Sequence, residues 1–182
     1  PGGVHEDEYT QMLLERSVSG IIFVSGLHAD AGSDHASYRD LTARGLPIVL
    51  VNGYADDIEA PFVSTDDHAS SELAVAHLAA LGHRWIGLAI GPDRFVPAIR
   101  KIAGFRQAMA GLGFGDDIEP LIERSLFSVE GGQAAAARLF ERGCTAVVCG
   151  SDLMALGAIR AARAAGLRVP QDVSVVGYDD SP

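Results

Sequence analysis

Ala146-Val147-Val148-Cys149, then Gly150-Ser151, then a helical stretch over residues 152–165, then Val173-Ser174-Val175-Val176-Gly177: this run of the chain decides the fold. Its two apolar segments are short and almost uninterrupted, which is how strands covered on both faces read. Between them Ser151 stands where a helix start needs a hydroxyl acceptor. Gly166 stands where a helix end needs a left-handed residue. Strand, helix and strand of this kind form a parallel pair joined by a right-handed crossover.

The same rhythm runs upstream. An amphipathic stretch over residues 8–16 precedes an apolar run at 20–24. A helical stretch at 37–44 precedes the run 47–51, and Phe62-Val63-Ser64 forms a shorter one. A long helix is expected over 67–81, closed by Gly82. A strand follows at 85–90, a helix at 97–112, a weaker strand at 121–126 and an alanine-rich helix at 132–142. The fold class is therefore α/β, with doubly wound parallel sheets of flavodoxin-like type. No repeat of fixed period, low-complexity linker or block of like charge interrupts it.

Composition narrows the function classes. The 182 residues suffice for one sizeable core or two small lobes. With 48% hydrophobic and 21% charged residues, the balance is that of a soluble globular chain. No apolar run reaches the roughly 18 residues of a membrane helix, so no membrane partner is expected. No basic-then-apolar leader opens the sequence, although Pro1-Gly2-Gly3 reads as a cut loop. The net charge of −10 is the wrong sign for a surface that wraps phosphate, so this segment should not bind DNA by itself. Cys144 and Cys149 flank a strand that holds them roughly 16 Å apart, beyond the about 7 Å a disulfide spans. Two free thiols suit a reducing, cytoplasmic compartment.

Polar residues gather where the strands end. Ser25-Gly26 follow the first run, Asn52-Gly53 the second, and Thr65-Asp66-Asp67 the third. Gly91-Pro92-Asp93, Phe127-Ser128, Gly150-Ser151-Asp152 and Tyr178-Asp179-Asp180 follow the later ones. Open parallel sheets bind ligands outside the carboxyl ends of their strands. Short donors and acceptors with a few aromatics suit a hydroxylated small molecule. The same residue types also cap helices and close turns. Catalytic signatures are missing: no Gly-x-Ser-x-Gly elbow and no phosphate-binding loop occur. Gly111-Leu112-Gly113-Phe114-Gly115 follows a helix and reads as a turn. The six histidines, His5, His28, His35, His68, His77 and His83, show no metal-ligand spacing. No metal and no cofactor are expected.

Three stretches resemble the lac repressor and galactose repressor family of bacterial regulators. They are Asp66-Asp67 with Ala76-His77-Leu78 and Leu81-Gly82-His83-Arg84-Trp85-Ile86; Gly104-Phe105-Arg106-Gln107-Ala108-Met109; and residues 151–158 continuing through Gly166-Leu167-Arg168-Val169-Pro170-Gln171-Asp172-Val173 to Tyr178-Asp179-Asp180. With Val18-Ser19-Gly20-Ile21-Ile22 the likeness spans nearly the whole chain. It implies a two-lobed, periplasmic-binding-protein-like fold that closes on a small-molecule effector. Residues 1–64 would form part of the first lobe and 65–182 most of the second. It implies a homodimer that meets operator DNA through a helix-turn-helix headpiece outside this sequence. Measured against the family, an opening strand–helix–strand, a final crossover strand and a last helix are also outside it, and a first lobe lacking its central strand should not fold alone.

By the same resemblance, effector contacts fall at Ser25, Asn52, Lys101, Phe127, Ser151 and Asp179. Asn52 replaces an Asp common in the family. Lys101 replaces an Arg whose planar fork a lysine cannot copy, with Arg100 beside it as a substitute. Asp152 is read instead as the helix-start residue that holds the neighbouring loop. Two other readings share parts of the pattern. A periplasmic sugar-binding protein of a transporter has the same fold, and a flavodoxin-like or Rossmann enzyme has the same class. The regulator-like stretch at 169–174 argues against the first, and the lack of a glycine phosphate fingerprint against the second.

Overall fold

The computed structural model describes residues 6–114 and 118–181. Pro1-Gly2-Gly3, His5 and Gly115 of the readings above lie outside them. The elements alternate as expected: α1 (Glu6–Glu15), β1 (Ile21–Val24), α2 (Ala36–Ala43), β2 (Ile48–Val51), β3 (Phe62–Val63), α3 (Asp67–Ala80), β4 (Ile86–Ile90), α4 (Val96–Gly111), β5 (Ile122–Arg124), α5 (Val129–Glu141), β6 (Ala146–Cys149), α6 (Asp152–Ala164) and β7 (Ser174–Val176). The helix α5 starts before its alanine run because Ser128 caps it, accepting from the Gly131 N–H at 3.0 Å. Gly82 and Gly166 close α3 and α6 with φ of 94° and 74°, the left-handed backbone that glycine adopts without a Cβ clash.

The chain divides into two compact units. One comprises residues up to Thr65 together with Arg94–Pro97, the other Asp66–Asp93 with the residues from Ala98 onward.

In the first unit the strands run parallel in the order β1-β2-β3, with Ile21 opposite Ile48 and Leu50 opposite Phe62. Ile21, Phe23, Ile48 and Leu50 pack with Tyr38 and Leu41 of α2 and with Leu13 and Leu14 of α1. The alternate residues of β1, Ile22 and Val24, are 68% and 65% exposed among the described residues. The continuous apolar run suggested cover on both faces; the described residues cover one face of β1. A side chain points to the opposite face at every step, so Ile21 and Phe23 face the packed side and Ile22 and Val24 the other. The short segment Arg94–Pro97 joins this unit through the Ala31 N–H, which donates to the Arg94 carbonyl at 2.9 Å, and through an Arg94–Asp30 ion pair at 3.0 Å.

In the second unit the order is β5-β4-β6-β7, again parallel. All residues of β4 and β6 are buried, so two-sided cover holds there. The chain leaves β4 to one side for β5 and returns across it for β6 and β7. This puts the topological switch point, where α/β sheets open a crevice, between β4 and β6. The helices α5 and α6 approach closely because Gly132 and Gly157 face each other's elements. A Cβ on Gly157 would stand 2.1 Å from the Val129 carbonyl oxygen.

Cys144 and Cys149 are both buried and unbridged. Burial pushes their thiols up to about 11 and about 12 respectively, so neither is a thiolate near neutrality.

Candidate functional site

The carboxyl edge of the first unit is built by β1 and β2. Ser25 follows β1 and Asn52 follows β2, and the ladder continues through them: the Ser25 N–H donates to Val51 O and the Asn52 N–H to Val63 O, each at 3.0 Å. Both residues have left-handed backbone, with φ of 54° and 65°. That conformation is uncommon outside glycine and turns each residue out of the strand direction. The Asn52 amide nitrogen donates to the Ser25 hydroxyl at 3.3 Å, so the two predicted contacts stand side by side.

Beneath them lies a residue to which the sequence assigned no role. His28 is fully buried, and its Nε2 lies 2.9 Å from the Val51 carbonyl, which fixes Nε2 as the protonated nitrogen. Its backbone N–H donates to the Tyr38 hydroxyl at 3.2 Å, and that hydroxyl in turn donates to Glu6. Burial and the Glu6 carboxylate push the Tyr38 hydroxyl above its ordinary range. A lone histidine in an apolar setting carries no sequence signal for this support.

The carboxyl edge of the second unit is held by side chains. Phe127 lies across the switch point. A Cβ on Gly91 would stand 2.0 Å from its ring, and one on Gly150 3.3 Å from it. These two glycines at the ends of β4 and β6 therefore leave the space the ring fills, with Phe127 still 40% exposed. Ser151 caps α6, accepting from the Met154 N–H at 3.3 Å. Its hydroxyl hydrogen is not used by that bond.

Asp152 has the loop-holding role read from the sequence. Its carboxylate accepts from the Tyr178 N–H at 2.7 Å and the Ser181 N–H at 2.6 Å. Those donors, Ser181 first, hold the carboxyl below its usual range. The loop so fixed carries Asp179 and Asp180, both exposed and both left-handed, with φ of 92° and 56°.

Lys101 is placed differently from an open ligand contact. It is 6% exposed and paired with Asp67, itself 3% exposed. Its ammonium lies 3.7 Å from the centroid of the Tyr178 ring, and the Tyr178 hydroxyl donates to Asp67 at 3.2 Å. Lys101 and Tyr178 line a cavity of about 290 Å³ with Ser70, Ser71 and His77 of α3. Asp67 and Tyr178 belonged to the polar strand-end set, but nothing in the sequence joined them to Lys101. Nearby, Arg124 bonds Asp93 at 2.8 Å and Glu119 at 2.6 Å. Burial opposes the charge of Arg124, yet these carboxylates outweigh it and raise its pKa. Among the described residues no group of three or more His, Cys, Asp or Glu side chains is arranged to hold a metal, and no helix is long and apolar enough to cross a membrane.

Residues 75–182 match the family model of the periplasmic binding protein-like domain. The chain belongs to that family. Transcriptional regulators stand among the relatives it matches. An HTH-type transcriptional regulator of the aml 5′ region of Streptomyces limosus is 61% identical over 183 residues, covering 100% of this chain and 52% of that protein. The HTH-type transcriptional regulator MalR of Streptomyces coelicolor is 58% identical over 185 residues, covering 100% of this chain and 54% of that protein. A solved complex of the transcriptional regulator CelR with cellobiose superimposes with a TM-score of 0.82 at 33% identity, covering 99% of this chain and 54% of that one. LacI-family regulators stand among the other solved structures it matches. The chain thus spans about half the length of the curated relatives it matches. The resemblance to lac-repressor-type regulators holds, and these relatives are transcriptional regulators, not enzymes.

Proposed function

We propose that this chain is the effector-sensing domain of a LacI-type transcription regulator, binding a sugar or related metabolite at the carboxyl edges of its parallel sheets. One observation supports this reading most. Among the described residues five non-glycine residues have left-handed backbone, and four of them, Ser25, Asn52, Asp179 and Asp180, sit just beyond strand ends. Such conformations cost roughly 1–3 kcal/mol each and persist where a site requires them. Ser25, Asn52, Phe127, Ser151 and Asp179 are the proposed contacts. The amide, hydroxyls and carboxylate exchange hydrogen bonds with ligand hydroxyls, and the exposed Phe127 ring offers a stacking face. The cellobiose held by CelR is the kind of ligand such a set suits.

The effector shifts a two-state equilibrium by its difference in affinity for the two states. In this reading a homodimer in the cytoplasm passes the shift to operator DNA through headpieces that lie outside these residues. The test is a thermal-shift screen of sugars, sugar phosphates and nucleobases on the full-length protein. A compound that binds the native state alone raises its melting temperature, and Asp179→Ala should then abolish the shift while leaving the ligand-free melting temperature in place. A screen in which no compound stabilises the protein, or an Asp179→Ala variant with undiminished affinity by calorimetry, would remove the respective claim.

A further inference from the structure

The Asp67–Lys101–Tyr178 cluster has a consequence for which effectors the second unit accepts. Lys101 is the buried cation of that carboxyl edge, and its charge is committed on two sides. The Asp67 carboxylate neutralises it, and the Tyr178 ring covers it at 3.7 Å, within cation–π range. The second basic residue there, Arg124, is engaged by Asp93 and Glu119. Helix starts are the other common seat for an anion, and at the starts of α3, α5 and α6 a side chain already accepts there. Asp66 accepts from the Ala69 N–H at the start of α3, Ser128 caps α5 and Ser151 caps α6. Asp152 takes the loop N–H groups of Tyr178 and Ser181, and Asp179 and Asp180 add two exposed carboxylates. Arg100, next to Lys101 in sequence, leaves α4 about 100° further around the helix axis.

We propose that Lys101 is a positioning residue, paired with Asp67 to seat Tyr178 and its loop, and that this edge therefore selects uncharged polyhydroxylated ligands over their carboxylate and phosphate counterparts. An anionic effector would have to displace Asp67 from Lys101 and meet the unpaired carboxylates of the loop. A neutral sugar needs neither. Lys101 then acts on the ligand through Tyr178, which stands one residue before the proposed contact Asp179.

This inference rests on the effector reading above, and the experiment separates their failures. Calorimetry on the full-length protein compares neutral sugars, cellobiose included, each beside its aldonic acid and its phosphate ester. The expected result is at least tenfold weaker binding of every charged member than of its neutral partner. Asp67→Asn, which frees the ammonium, should narrow that ratio at least threefold. Adding Lys101→Met to Asp67→Asn should restore it. Because the ratio is read within one variant, a general loss of stability cancels. If Asp67→Asn does not fold, the wild-type ratio alone decides. Equal or tighter binding of the acid or the phosphate ester by the wild-type protein overturns the selectivity. A ratio unmoved by Asp67→Asn overturns the role of the pair. Binding of no member, neutral or charged, overturns the effector reading itself.

Discussion

The two carboxyl edges are built by different means. In the first unit Ser25 and Asn52 are placed by backbone: each sits in a left-handed conformation just past a strand end, and the last carbonyl of β2, before Asn52, is tied down by the buried His28. In the second unit the edge is placed by side chains: Asp152 on two loop N–H groups, Asp67 on Lys101 and Tyr178, Arg124 on Asp93 and Glu119. The difference sets what a mutation can do. A side-chain clasp is lost in one substitution. A backbone conformation held by a strand ladder survives the loss of its side chain, and glycine even relieves it. The first edge should therefore tolerate truncation in stability while losing ligand contacts, and the clasp residues of the second, Asp152 foremost, should lose both together.

The largest expected effect follows at the second edge. Asp152→Ala removes the acceptor for the Tyr178 and Ser181 N–H groups. Hydrogen bonds to a charged acceptor contribute about 1.5–3 kcal/mol, and partial contact of this carboxylate with water lowers that, so a loss of about 1–2 kcal/mol is expected in urea denaturation. Effector affinity should fall with it, because Asp179 rides on the released loop. Asp152→Ala with stability lowered and affinity intact would break the comparison, since the clasp would then serve the fold alone.

Much of this was legible in the sequence, and what was not has a physical reason. The run 146–177 gave the parallel unit, because apolar strands and capped helices are local patterns. The role of Asp152 was legible through the resemblance to lac-repressor-type regulators, which set it apart from the ligand contacts as the helix-start residue that holds the loop. Which strands the described residues cover on both faces was not legible. Ile21-Ile22-Phe23-Val24 and Ala146-Val147-Val148-Cys149 are both unbroken apolar runs, yet only the second is buried throughout. Burial depends on what packs from elsewhere, and a run of four residues cannot encode it. The partnership of Lys101 with Asp67 and Tyr178 was likewise hidden. It joins residues 34 and 77 positions apart in sequence, and no spacing rule links them.

A smaller effect tests the first edge. Asn52→Gly removes the amide that donates to Ser25 and relaxes a left-handed position, where an L side chain costs roughly 1–2 kcal/mol. The lost hydrogen bond, partly exposed, is worth about 0.5–1.5 kcal/mol. These oppose each other, so stability should change by no more than about 1 kcal/mol, with glycine as stable or more so, while effector affinity drops. A destabilisation as large as that of Asp152→Ala would show that the first edge is also clasped by side chains and would remove the contrast.

The smallest expected effect lies in acid, where both units hold carboxyls below their ordinary range. In the second unit the Asp152 carboxyl is held below its ordinary range by the Ser181 and Tyr178 N–H groups, and that of Asp172 is lowered to about 2 by the side chain and then the backbone N–H of Arg168. Glu119 is lowered by Arg106 and then Arg124. A carboxyl whose folded value is depressed binds its proton more readily in the unfolded chain. Its contribution is therefore complete above the unfolded value of about 4 and is lost as pH falls through the folded value. In the first unit Asp57, lowered chiefly by His35, is the corresponding group. Urea midpoints measured from pH 5 to pH 2 should fall across this window, and Asp172→Asn should flatten the lower part of the curve, near pH 2 to 4, while leaving the ligand-induced thermal shift at neutral pH unchanged. A curve for Asp172→Asn that falls as steeply as the wild type would mean that the ion pair with Arg168 is too well solvated to favour folding. The acid sensitivity would then have to come from Asp57 of the first unit or from Asp152 and Glu119, the carboxylates that hold the second edge itself.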